Sequence, residues 1–451
     1  MGLESRAHDV RRDEIKKGFK VRLPTIDKDV AALRAQLAAE KAAAVAPPTL
    51  EELAEIAEEI IEQKNVLALF LGESDRGITG EDTLRQMLYL TATSRLFDKP
   101  MHLAVKGPSS AGKSVTRDYV LKFFPPEDVI SFTSLSEKAL YYFEDDFVHK
   151  VLSMGEAGNP EEQTFQDRIM RQLMSEGVLH YPVVQKQVDG SFKTVVIEKN
   201  GPVVFLVTTT HNKLHPENET RMLSIEVDDS AKQTKKVLLK VAEIQGLRQS
   251  GAPVLLEVWH AYQRWLAAGP TEVYVGFAKV LAREIENMNS VRLRRDWSQL
   301  LTCIMAHALL HREHRKQTAD GLIVATIKDD YAAIRPLIAD LMATASELKI
   351  RKAVEQTVTV VEELMEELVI ARAGGVTVQI VKAKLKLNQS SALRRLKQAV
   401  EAGLLRNTED RKGYPGRYVP TEEKPSVSEL LPTVKELEAA WAEWRRRKPE
   451  K

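Results

Sequence analysis

Apolar positions recur with two different periods along this chain, and each switch of period marks a new element. Thr49-x-x-Glu52 stands before an amphipathic run and predicts a capped helix reaching about Lys64. A second 3.6-residue pattern predicts a helix over Glu81–Phe97, and the apolar run Met101–Val105 predicts a short buried strand followed by a helix over Val115–Phe124. QTFQDRIMRQLMSE, from Gln163 to Glu176, reads as an amphipathic helix. Beyond it the period drops to two on both sides of Asp189-Gly190, the pattern of a β-hairpin. Val203–Thr210 is an apolar strand ending in hydroxyls. From about residue 230 to 345 the helical period returns with few strand signals. A helix over Val358–Ala373 is stopped by Gly374-Gly375, and Thr377–Leu385 predicts a second. A third helix starts at Asn388-Gln389 and runs to Gly403, before two short strands around a Gly/Pro-containing turn. Val434–Arg447 forms a last amphipathic helix, and no internal repeat is present.

This order predicts an α/β core with a parallel sheet over 49–230, after an arm over 1–48. An α-helical lid over 231–350, a small basic unit over 351–420 and a charged tail over 421–451 follow. The net charge of +1 on 451 residues excludes a polyanion mimic or a uniformly basic coat, so attraction to nucleic acid has to come from local patches. Cys303 is the only cysteine, which excludes a disulfide framework and a cysteine-based zinc site and suits a reducing compartment. No apolar run approaches the roughly 20 residues of a membrane span. The charged N-terminus has no apolar core of a secretory signal, so the chain is expected to be soluble and cytoplasmic, with no membrane partner.

Gly107-Pro108-Ser109-Ser110-Ala111-Gly112-Lys113-Ser114 fits G-x-x-x-x-G-K-[ST] between the strand and the helix that the motif requires. Backbone amides of such a loop cradle phosphates, and the following helix N-terminus, from Val115, adds partial positive charge. Lys113 is expected on the β- and γ-phosphates of ATP and the Ser114 hydroxyl on Mg²⁺. Downstream, HKVLSMGE ends in Glu156, placed to polarise an attacking water. Gly155 stands where an aspartate that supports Mg²⁺ usually precedes such a glutamate, so Ser114 and water, or Asp145 or Asp146, would have to compensate. Thr210, with Asn212 next, is the candidate γ-phosphate sensor. Lys186 and Lys193, near the hairpin tip, are candidate phosphate-backbone contacts. Arg221, before an apolar strand, is the candidate arginine finger, acting on a neighbouring subunit's ATP. The bland alternative is a surface ion pair with Glu217 or Glu219.

Phosphate loop, acidic strand end, helix with hairpin, polar strand end and arginine, in that order, resemble the AAA+ ATPases. A hairpin just before the sensor strand is similar to the branch that holds minichromosome-maintenance helicases and bacterial enhancer-binding ATPases. The phrases TSRLFDKP, SSAGKS, ALYYFEDDFVHKVLSMGEAG, RQLMSEGVL, GPVVFLVTTT and SVRLRRDWSQLLTCIMAHALLHREHR resemble the ATPase half of zinc-finger primase–helicases of phages and mobile elements, over residues 78–345. The resemblance implies that Arg171 lies on the helix before the hairpin and that a lid arginine among Arg292, Arg294 and Arg295, with Arg294 favoured, is the second sensor. The first 77 residues are too short for a primase fold, so primer synthesis is not expected. His307, His311 and His314 have helical spacing that suits a partly buried helical face better than a metal site.

The C-terminal helices and strands resemble a winged-helix domain. Between Val376 and Arg417 ten Lys/Arg face three acids, concentrating basic charge in a near-neutral chain. Ser390, Ser391, Arg394, Arg395 and Lys397 on the helix, with Arg411, Lys412 and Arg417 on the wing, are candidate DNA contacts. Together these features imply an ATP-dependent DNA helicase, translocase or loader of a mobile element, acting as a homo-hexamer with single-stranded DNA in its channel, duplex at the winged helix, and a separate primase or initiator. The rivals are a DNA-binding ATPase regulator of transcription or defence that unwinds nothing, and a protein remodeller. The basic C-terminal unit and the lack of an aromatic pore signature weigh against the remodeller.

Overall fold

Two units divide at Leu53 in a computed structural model of the chain. It describes residues 48–132, 139–155, 165–186, 191–211, 214–246, 254–285, 293–345, 352–366, 374–409, 411, 414–421 and 430–447. In the first unit the capping box forms: Thr49 N–H donates to the Glu52 carboxylate (2.7 Å) and Glu52 N–H to the Thr49 hydroxyl (3.2 Å), opening α1 (Leu50–Ile61).

In the second unit, α2 (Val66–Ser74) is capped by the Asn65 side chain, and α3 (Asp82–Thr93) precedes β1 (Leu103–Lys106). Then come α4 (Lys113–Leu121), β2 (Val129–Phe132), β3 (Lys150–Met154), α5 (Phe165–Glu176) and the antiparallel pair β4 (Val178–Lys186) and β5 (Phe192–Asn200). After β6 (Val203–Thr209) come the single turn α6 (Pro216–Glu219) and β7 (Leu223–Glu226). Strands β2-β3-β6-β1-β7 form one wholly parallel sheet in that order. Every residue of β1 and β6 is buried, as a central parallel strand covered by helices on both faces requires. The crossover from β3 to β6 carries α5 and the hairpin, so the hairpin is an insertion between two neighbouring strands of the sheet.

Arg95, in the TSRLFDKP stretch, turns out to hold the scaffold together. It is fully buried and donates to Asp128 (2.8 and 3.2 Å) and to Gln263 (2.9 Å), joining three distant segments. A guanidinium buried this deeply persists only with such partners.

The helical region follows as α7 (Ala231–Gly246), α8 (Leu256–Ala268), β8 (Val273–Tyr274), α9 (Ala278–Glu284), α10 (Leu293–Leu310), β9 (Ile323–Val324) and α11 (Ala332–Ala345). Residues β8 and β9 pair in parallel, a strand contact the helical period did not announce. His307 lies on α10 and meets Asp330 (Nδ1 to Oδ1, 2.8 Å), while Arg315 donates to the same carboxylate at 2.7 Å. Asp330 arrives from a later turn, so a carboxylate does stand beside the histidines, held by arginine and imidazole in a buried network. His311 accepts the Val66 N–H (3.1 Å) and, desolvated, has its pKa lowered to about 3.

The helix expected over Val358–Ala373 starts earlier: α12 spans Lys352–Met365, and the stretch from 367 to 373 lies outside the described residues. β10 (Val376–Thr377), α13 (Val378–Leu385), α14 (Gln389–Glu401), β11 (Leu405–Asn407) and β12 (Arg417–Pro420) follow, with the strands ordered β10-β12-β11. Asn388 caps α14 by accepting the Ser391 N–H at 2.7 Å. α15 (Val434–Arg447) opens with a second capping box, between Thr433 and Glu436, and the Pro432 carbonyl just before it accepts from Tyr331 (2.6 Å) and Arg335 (2.7 Å). No helix among the described residues is long and apolar enough to cross a membrane.

Candidate functional site

The glycine loop sits at the C-terminal end of β1, against the ends of β6 and β7. Gly107 continues the strand, its N–H donating to the Thr209 carbonyl (3.2 Å). A side chain there would meet the Val227 methyl at 2.4 Å, and its φ of +154° is one that only glycine adopts freely. Ser110 (φ +64°) and Gly112 (φ +84°) turn the chain through left-handed conformations directly before α4 begins at Lys113. Lys113 is buried and folds over the loop, donating to the Gly107 (3.0 Å) and Pro108 (2.7 Å) carbonyls. Ser114 and Val115 are exposed at the start of α4, while Ser109 and Ser110 are exposed on the loop and Ala111 is half-buried. The donor set fits a polyphosphate with its divalent ion: loop amides, an ammonium and a serine hydroxyl at one helix N-terminus.

Thr210, the candidate sensor, is half-buried where β6 ends beside this loop, with Lys106 and Thr209 in register. Thr209 itself is buried and its hydroxyl accepts the His211 N–H (3.1 Å). Asn212 lies outside the described residues, and so does Glu156, although β3 leads directly to it. Of the two aspartates offered in place of the missing one, Asp146 accepts from Asn200 N–H (2.9 Å) and side chain (3.3 Å) at the base of the hairpin. Asp145 is exposed.

Two buried basic residues beside the loop escape the motif reading. Arg117 lies one helical turn after Lys113, hence on the same face of α4, and is buried. Its guanidinium donates to the Met154 carbonyl (2.7 Å) and reaches the Thr208 hydroxyl (3.4 Å), tying the phosphate-loop helix to the end of β3. Lys106 ends β1, fully buried, and its ammonium is 2.6 Å from both Glu219 oxygens. Glu219 also accepts from Leu214 N–H and the Ser224 hydroxyl, both at 2.9 Å. The signals were there, an arginine at i+4 and a lysine closing an apolar strand, but their partners lie far along the chain.

Arg221 follows α6, and its hydrogen bonds go to α5 and α6 rather than to the glycine loop. Its Nε donates to the Ser175 hydroxyl (2.8 Å) and its Nη1 to the Glu217 carbonyl. The carboxylates named as its ordinary partners are engaged elsewhere: Glu217 pairs with Arg171 and Glu219 with Lys106. Arg168, Arg171, Ser175, Glu176, Glu217 and Arg221 line an open recess of about 410 Å³. Burial first, then the charges of Arg295 and Arg171, lower the Arg221 pKa. Among the three candidate second-sensor arginines, Arg295 donates to Thr220 beside this cluster, Arg294 is exposed, and Arg292 is outside the described residues.

Lys186 and Lys193 are exposed but do not share a face of the ribbon. Lys186 pairs with Phe192, and Lys193 with Gln185, so the pleat sends the two lysines to opposite sides. The Asp189-Gly190 tip is outside the described residues. On the C-terminal unit Lys397 and Arg411 are exposed, Arg417 is half-buried and Lys412 is not described. Arg394 and Arg395, in contrast, face inward and donate to Asp229 at 3.0 and 2.5 Å, with Ser391 buried beside them.

Glu81 borders the site through Asp228, whose N–H it accepts at 2.7 Å. Burial, reinforced by the charges of Asp228 and Asp82, raises its pKa to about 7. With the folded value above the ordinary 4.5, the carboxyl's contribution to stability is complete below pH 4.5 and is lost as pH rises through 7. Glu81→Gln keeps an acceptor without the charge. At pH 8 it should unfold at higher temperature than wild type, by the equivalent of up to about 3 kcal/mol, and the gap should close near pH 4.5. Thermal melts across that range check this, and equal melting temperatures at pH 8 would refute it.

Residues 51–263 match the family model described as the MTBMA_p00010 P-loop domain, a little under half of the chain. No curated protein matches the chain. The match and the parallel sheet together support a P-loop NTPase core, a domain that binds nucleotide and usually a divalent metal.

Proposed function

We propose that this P-loop NTPase is an AAA+ ATPase that hydrolyses ATP with Mg²⁺ between the subunits of a ring and moves DNA through that ring in the replication of a mobile element. The observation that carries this reading is the β4–β5 hairpin, inserted between sheet neighbours β3 and β6 and bearing Lys186 at its outer end. Its base lies at the N-terminal ends of β3 and β6, across the sheet from the glycine loop, and the crossover through α5 joins the loop-side end of β3 to it, so a change of the loop's occupant can reach the hairpin through α5. Lys113 would hold the β- and γ-phosphates, Ser114 the metal, Thr210 the γ-phosphate, Glu156 the attacking water, and Arg221 a neighbour's γ-phosphate. Mg²⁺ would neutralise charge developing on the phosphates. The helical region would act as lid and the C-terminal unit as a winged helix on duplex DNA, through Lys397, Arg411, Lys412 and Arg417. Primase activity is not part of the reading.

Strand displacement on forks with 3′ or 5′ tails tests it. ATP should drive displacement on one polarity with the wild-type chain and on neither with Lys113→Ala. Absence of displacement on both forks would favour the second reading, a DNA-binding regulator that switches without unwinding. The contact of Arg394 and Arg395 with the core supports that second reading.

A further inference from the structure

Asp229 stands three residues beyond β7, the strand that flanks β1 and the glycine loop. Its carboxylate accepts from Arg394 (3.0 Å) and Arg395 (2.5 Å), both on α14. All three side chains are largely or wholly withdrawn from solvent, at 6% exposure for Asp229, 7% for Arg395 and 13% for Arg394. One turn further along α14, Gln398 reaches the Glu226 carboxylate at 3.4 Å. The contact therefore spans two turns of the helix and grips the last residues of the β7 segment. Burial would raise the Asp229 pKa, but the Ser391 hydroxyl and the two guanidinium groups outweigh it and hold the carboxyl below its usual range. Arg394 and Arg395 are also the residues whose position on a basic helix suits them to a phosphate backbone, and buried against Asp229 they are withdrawn from any duplex outside.

We infer that Asp229 is an internal stand-in for a DNA phosphate: docking of α14 on the β7 segment masks the duplex-binding face of the C-terminal unit, and duplex binding requires its release. The inference rests on the C-terminal unit being a DNA binder, which both functional readings share. Release exchanges one anion for another, so its cost falls mainly on separating the packed surfaces. Neutralising Asp229 leaves two buried cations without their anion, which disfavours the docked form strongly. Removing a docked population that exceeds the open one about tenfold raises apparent affinity by the same factor.

The test is anisotropy of a labelled duplex with the full chain. Asp229→Asn should bind about tenfold more tightly than wild type. In an Asp229→Cys, Arg395→Cys double variant, joining the two thiols with a short bismaleimide should weaken binding relative to the same variant left unjoined. Cys303 is buried and does not compete for the reagent. Unchanged or weaker binding by Asp229→Asn, with wild type still binding, overturns the inference and leaves the DNA reading standing. Should Asp229→Asn fail to fold, equal binding by the joined and unjoined chains overturns it instead. Duplex binding by none of the forms overturns the inference and the DNA reading together.

Discussion

Lys113→Ala is expected to lower ATP hydrolysis by at least about a thousandfold, equivalent to roughly 4 kcal/mol of lost transition-state stabilisation. The ammonium occupies the loop's own carbonyls at 2.7 and 3.0 Å, so it is held at the site and needs only to exchange partners for phosphate oxygens. An alanine cannot supply charge where charge develops. Losing two hydrogen bonds from a buried group costs on the order of 1–3 kcal/mol of stability as well. Phosphate release, read beside a thermal melt, separates the two effects. A folded Lys113→Ala chain that hydrolyses within tenfold of wild type would remove the glycine loop from the chemistry.

Arg221→Ala is expected to cost about 10³- to 10⁵-fold in hydrolysis while nucleotide binding persists. Its guanidinium is anchored at an open recess beside Arg171, with Arg295 reaching the preceding Thr220, and not at its own loop. The ring reading makes a sharper demand. Lys113→Ala subunits keep the arginine and lack the loop lysine, whereas Arg221→Ala subunits have the reverse. Each is inactive alone, and mixing them should restore hydrolysis at junctions that pair an intact loop with an intact arginine. A mixture no more active than its parts would exclude action in trans.

Much of the core was legible because its signals are local. The glycine loop, the two arms of the hairpin and the capping box at Thr49 each rest on neighbours within a few residues, and α15 spans the same Val434–Arg447 that its amphipathic period marks. Long-range pairing was not legible. Arg394 and Arg395 look on sequence like any basic helix face, and only the fold brings Asp229, 165 and 166 residues away, into contact with them. Nothing local to TSRLFDKP announces that Asp128 and Gln263 close around Arg95. The faces of Lys186 and Lys193 depend on strand register, which the length of the turn decides and composition does not. Asp330 shows the same limit from the acidic side, since its histidine and arginine partners come from earlier turns.

The buried pair of Lys106 and Glu219 has a consequence for timing. Lys106 is the residue before Gly107, and Glu219 comes two residues before Arg221. Any shift of the loop as phosphate enters or leaves must pull on an ion pair that low dielectric makes stiff. On the ring reading, that pair would link the nucleotide a subunit holds to the arginine it lends its neighbour, so sites around the ring would fire in turn rather than at random.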